Sequence, residues 1–139
     1  MYGTIVVGTD GSETAGRAVE RAVELASGSN ATLHVVSAYE PAPAHVGRGA
    51  SGEFDVGSDF KADAALSKAA ERADRSLEIK KHAPKGDPAD AIIEIARREA
   101  ADLIVLGSRG MRGARRLLGS VPNNVSHHAP CDVLIVRTD

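Results

Sequence analysis

The chain has 139 residues, of which 42% are hydrophobic and 26% charged, with a formal net charge of −2. That length suffices for one domain with its own core, and the charge balance excludes a global basic field that would recruit nucleic acid. Only Tyr2, Tyr39, Phe54 and Phe60 are aromatic, and none lies within a basic stretch, so a stacking platform for single strands is also excluded.

The first element is Thr4-Ile5-Val6-Val7, a β-branched run ending in Gly8-Thr9-Asp10-Gly11-Ser12; the pattern predicts a buried strand and a turn. Ala15, Ala18, Val19, Ala22, Val23 and Ala26 then recur at helical spacing, with Asp10 or Ser12 available as cap and Gly28 to close the helix. Leu33 to Ala38 reads as the second strand. Residues 41–59, broken by Pro41, Pro43, Gly47, Gly49, Gly52 and Gly57, read as a long surface loop. A helix is predicted from about Phe60 to Ser76, on the face marked by Ala62, Ala65, Leu66, Ala69, Ala70 and Ala73. Leu77 to Ala83 alternates weakly, as a strand near a sheet edge does.

Asp87 and Pro88 start the next helix as cap and first helical residue, and Ala89, Ile92, Ile93, Ala96 and Ala100 form its apolar stripe. Leu103-Ile104-Val105-Leu106 is a strand, followed by a glycine-rich loop from Gly107 to Gly119. Leu118, Val121 and Val125 predict a last helix ending near His128, and Val133 to Val136 the final strand. Four strand–helix units and a closing strand imply an α/β fold: one doubly wound domain over residues 1–139. Its five-stranded parallel sheet has the expected order 3-2-1-4-5, with helices on both faces.

In that order strands 1 and 4 are neighbours where the winding reverses, and both end in glycine: Val7-Gly8-Thr9-Asp10 and Leu106-Gly107-Ser108-Arg109-Gly110. Crevices at such a switch point are where open α/β sheets bind ligands. Glycine lets main-chain amides converge on an anion, and nearby helix starts add unpaired N–H groups. Gly119-Ser120 supplies a second glycine turn, with the Ser120 hydroxyl as a donor.

Gly107-x-x-Gly110, a spacer and Gly119-Ser120 before a helix and a terminal aliphatic strand resemble the universal stress protein signature. Val7-Gly8-Thr9-Asp10-Gly11-Ser12 and Ala101-Asp102-Leu103-Ile104-Val105-Leu106-Gly107 match its other hallmarks. The resemblance covers essentially the whole chain. It implies a Rossmann-like domain, a homodimer joined through the last strand (Val133–Val136), and an adenine nucleotide in the cleft. By position, Asp10 and the Val35 backbone face the adenine, while Gly8 and Thr9 line that wall. Leu106 and Gly107 approach the ribose. Arg109, Gly110, Gly119, Ser120, Val121 and Pro122 surround the phosphates. In ATP-binding members Mg²⁺ rides on the phosphates, so the metal is expected only with ATP.

Two departures bear on the ligand. The spacer Met111–Leu118 has eight residues where the usual number is nine, and Pro122 stands where some ATP-binding members offer a hydroxyl. Proline also removes a backbone donor. Both weaken the case for a triphosphate and bring AMP and cyclic AMP forward beside ATP.

Other chemistry finds less support. Arg109 lies inside the glycine turn and is read as a phosphate contact, since its planar fork matches phosphate; Arg112, Arg115 and Arg116 are surface or phosphate-screening charges. His127-His128 with Cys131 lacks the further ligands of a soft-metal site, and a helix end explains the two histidines better. No lysine follows a glycine loop as in a P-loop, and no serine nucleophile elbow is present. Cys131 is the single cysteine, which excludes an intrachain disulfide. With no leader-like segment and no long apolar stretch, a cytoplasmic chain without a membrane partner is expected. The first reading is thus a nucleotide-binding stress or regulatory protein with no catalytic residue. A slow ATPase or phosphoryl-transfer enzyme and a nucleotide-free dimeric interaction module are the alternatives.

Overall fold

A computed structural model of the chain describes residues 2–38, 63–71, 76–109 and 120–138. The loop expected at 41–59 and the turn from 110 to 119 lie outside the described residues. The elements run β1 (Thr4–Gly8), α1 (Gly16–Ser29), β2 (Thr32–Val36), α2 (Asp63–Ala70), β3 (Ile79–His82), α3 (Pro88–Arg98), β4 (Leu103–Gly107), α4 (Ser120–His128) and β5 (Asp132–Val136). The five strands form one parallel sheet in the order β3-β2-β1-β4-β5. Winding reverses between β1 and β4, as expected.

Alternation along the strands builds two cores from one sheet. Ile5, Val7, Leu33, Val35, Leu103 and Val105 pack with Ala18, Val19, Ala22 and Val23 of α1 and Leu66 and Ala69 of α2. Val6, Val36, Ile104 and Leu106 turn to the other face, against Ala89, Ile92, Ile93 and Ala96 of α3 and Val125 of α4. The central strands are buried on both faces, which is why they read as unbroken apolar runs. Each Val, Leu or Ile removed from water contributes about 1.5–3 kcal/mol. β3 is an edge strand, with Lys80 and Lys81 exposed on it.

The Asp87–Pro88 start holds: the Asp87 carboxylate accepts from Asp90 N at 3.0 Å, and Pro88 opens α3. Asp87→Ala is expected to lower unfolding free energy by about 1 kcal/mol in urea titration, the usual effect of deleting an N-cap. The ends of α1 differ from expectation. Ala15 occupies its N-cap position, with no side-chain cap. Asp10 accepts from Ser12 N (2.9 Å) and Ser12 Oγ from Ala15 N (3.2 Å), so both side chains brace the preceding turn. Gly28 stays inside the helix, and Asn30 (φ 59°) closes it, donating to Ala26 and Ser27 carbonyls. Asparagine tolerates this left-handed conformation better than other side chains do. Helix α2 is Asp63–Ala70; of the helix expected from Phe60 to Ser76, residues 60–62 and 72–75 lie outside the described residues.

One polar pair lies within the sheet. His34 of β2 is 2% exposed, and its Nδ1 lies 2.9 Å from Nε2 of His82 on β3. The rings stack with centroids 5.1 Å apart.

Candidate functional site

The switch point is built by two chain exits. At the end of β1 the Thr9 amide donates to Val36 O at 3.0 Å, tying the departing chain to β2. The turn beyond is then held by its own side chains: Thr9 Oγ1 accepts from Gly11 N at 3.1 Å, and Gly11 takes φ 84°. At the end of β4 the Ser108 amide donates to Val136 O at 2.8 Å, tying that exit to β5. The register pairs Val7 with Val105, so the two exits leave the sheet side by side.

Between them opens a cleft of about 540 Å³, measured out to solvent. Its inner wall is apolar, formed by Val36, Ile92 and Leu106, and Thr9, Asp10 and Arg109 bring polar groups to its lining. Val121 and Pro122, in the first turn of α4, complete one side. That turn carries no acidic residue, so the positive end of the helix dipole is left for an anion.

Gly8, Thr9, Asp10, Leu106, Gly107, Arg109, Val121 and Pro122 therefore meet at one cleft. Val35 and Ser120 are not among the lining residues. Val35 is expected there through its backbone alone; its side chain is fully buried in the core beneath α1, on the opposite face of the sheet, and Val36 is the β2 residue in the lining. A one-residue step along a strand changes the face, and the sequence does not say which face is which. Ser120 opens α4 but is exposed and outside the lining. Gly110, Gly119, the spacer Met111–Leu118, Arg112, Arg115 and Arg116 lie outside the described residues.

Sequence reasoning missed Thr14, Ala15, Ala38, Pro88, Ile92 and Thr138, all in the lining. Pro88 and Ile92 were assigned to the helix alone, although the start of α3 faces the same carboxyl edge as the glycine turns. Thr138 lies two residues past the last strand, where position at that edge was the only available signal.

The groups outside the cleft have structural roles. Asp102 accepts from the Gly3 and Thr4 amides at 2.8 and 3.0 Å, and those bonds hold its carboxyl below the usual carboxylate range. Burial pushes the Cys131 thiol up, with help from Asp132 and Asp102, which disfavours the nucleophilic thiolate. His127 and His128 sit in the last turn of α4, with His128 Nδ1 3.0 Å from Asn124 O. Among the described residues no three His, Cys, Asp or Glu side chains gather as a metal site. No helix among them is long and apolar enough to cross a membrane.

The sequence profile of the universal stress protein family matches residues 1–137. The chain belongs to the universal stress protein family. It is 41% identical over 145 residues to universal stress protein Rv1636 of Mycobacterium tuberculosis, covering 99% of this chain and 97% of that one. A universal stress protein of Thermus aquaticus is 38% identical over 143 residues, covering 99% of this chain and all of the relative. Among solved structures, a universal stress protein in complex with cAMP is 40% identical, with a TM-score of 0.72 over 99% of this chain and 98% of that one. The universal stress protein UspA from Lactobacillus plantarum is 27% identical, with a TM-score of 0.80 over 98% of each chain. The parallel sheet order and the flanking helices are those of a universal stress protein.

Proposed function

We propose that this universal stress protein binds an adenine nucleotide in the cleft outside β1 and β4, and acts as a regulatory binding protein. The observation that carries this reading is the convergence of the Gly8 and Gly107 exits on a single cleft. Its apolar inner wall suits a base, while Arg109 and the start of α4 suit phosphate. The base lies toward Asp10 and the phosphate toward Arg109 and Val121. The cAMP complex of a 40% identical protein supports the ligand class.

Pro122 is the third residue of α4, where its missing N–H removes one phosphate donor. With the short spacer Met111–Leu118, this favours a single phosphate over three. Calorimetric titration tests it: AMP or cyclic AMP is expected to bind more tightly than Mg-ATP. Tighter binding of Mg-ATP would overturn the preference, and the absence of all three heats would overturn the binding reading.

A second copy of the chain is the partner this reading assigns. Among the described residues β5 pairs with β4 alone, and it carries half-buried Val133, Leu134 and Ile135. An apolar edge of this kind is suited to pairing with its own copy.

A further inference from the structure

Thr138 is 3% exposed and lines the cleft, yet its Oγ1 meets no hydrogen-bond partner among the described residues. An unpaired buried hydroxyl is destabilising, and valine would fill the same volume without that cost. The residue is also held in place. Its amide donates to Ser108 Oγ at 3.3 Å, and the Ser108 amide bonds to Val136. Gly107 makes room for it: a Cβ there would lie 2.9 Å from the Thr138 methyl. The chain thus brings an unused hydroxyl to the β4 side of the cleft, beside Gly107 and near the Arg109 exit.

We propose that Thr138 is a ligand-binding residue whose hydroxyl hydrogen-bonds an oxygen of the ribose–phosphate part of the nucleotide. The assignment rests on the nucleotide reading of the cleft. One staggered step about χ1 carries the hydroxyl into the place of the methyl and the methyl into that of the Cβ hydrogen, so ligand binding can bring the hydroxyl to its partner without moving the backbone. Because Thr138 lies two residues past the end of β5, the contact also connects ligand occupancy to the strand at the sheet edge.

The test compares wild type, T138V and T138S by calorimetry with adenosine, AMP and cyclic AMP, alongside melting temperatures without ligand. T138V is expected to weaken AMP and cyclic AMP about tenfold or more, as loss of a bond to a charged group does. Its ligand-free melting temperature should equal or exceed that of wild type, and T138S should retain affinity. Weakened adenosine binding as well would locate the contact at the ribose, and intact adenosine binding would locate it at the phosphate. T138V binding at wild-type strength overturns the Thr138 assignment alone, as does a loss of affinity shared by T138S or accompanied by a lower melting temperature. A wild-type chain that binds none of the three, nor Mg-ATP, overturns the cleft reading itself.

Discussion

Gly8→Val is expected to abolish nucleotide binding, with a stability loss of about 1–3 kcal/mol from overpacking. A Cβ at Gly8 would overlap Ile92 Cδ1 and come within 2.9 Å of Leu106 Cδ2. Both neighbours form the apolar wall of the cleft, so relief of the clash drives side chains into the ligand's space. The Ile92 contact is the end of a flexible side chain, and Gly8→Ala should therefore be milder, weakening the ligand about tenfold by displacement of that methyl, or ~1.4 kcal/mol. Titration calorimetry and urea unfolding on both variants check the order. A Gly8→Val chain that binds as tightly as wild type would refute the claim that the β1 exit borders the ligand.

The second large effect is an acid-induced loss of stability from the His34–His82 pair. Burial is the main cause pushing both imidazoles below their ordinary value. Lys80 and Arg98 lower them further and His34 adds to the effect on His82, while Glu99 opposes the shift on both. Glu78 opposes it at His34. Well above pH 6.5 both rings are uncharged in folded and unfolded chains, so neither state holds an excess of protons. Below about pH 6.5, the ordinary imidazole value, the unfolded chain takes up protons that the folded pair refuses. Stability therefore falls with pH until the folded pair itself titrates. Two charged rings have only donors to offer each other, so the 2.9 Å bond is lost and edge strand β3 loosens from β2.

Urea midpoints measured from pH 7.5 to 5 are expected to decline in the wild type. The double variant His34→Leu, His82→Gln should flatten the slope, and an unchanged slope would exclude the pair as its source. Asp102 titrates in a separate window. Its folded value is depressed, so its contribution is present above the ordinary carboxylate range and is lost only as pH falls through that range and below.

Much of the cleft is legible in the residues because its makers are local. Gly8 and Gly107 each follow an aliphatic run, and a glycine at a strand exit signals close approach whatever the fold around it. Asp87–Pro88 likewise specifies a helix start by its own hydrogen bond and fixed φ. The caps of α1 were misassigned for the opposite reason. Several polar residues compete over residues 10 to 15, and the winner depends on the angle at which the chain leaves β1. Asn30 replaced Gly28 as the closing residue, taking φ 59° while its amide reaches the Ala26 and Ser27 carbonyls.

What the amino-acid order decides alone is the alternation of helices with strands and the two glycine exits. Hydrophobic period and turn chemistry are properties of neighbours in sequence. The tertiary structure alone decided that Val36 joins the cleft lining, that Ile92 forms its wall, that His34 finds His82, and that Thr138 returns to Gly107. Each of these pairs residues far apart in the chain, and only the stacking of parallel strands in register brings them into contact.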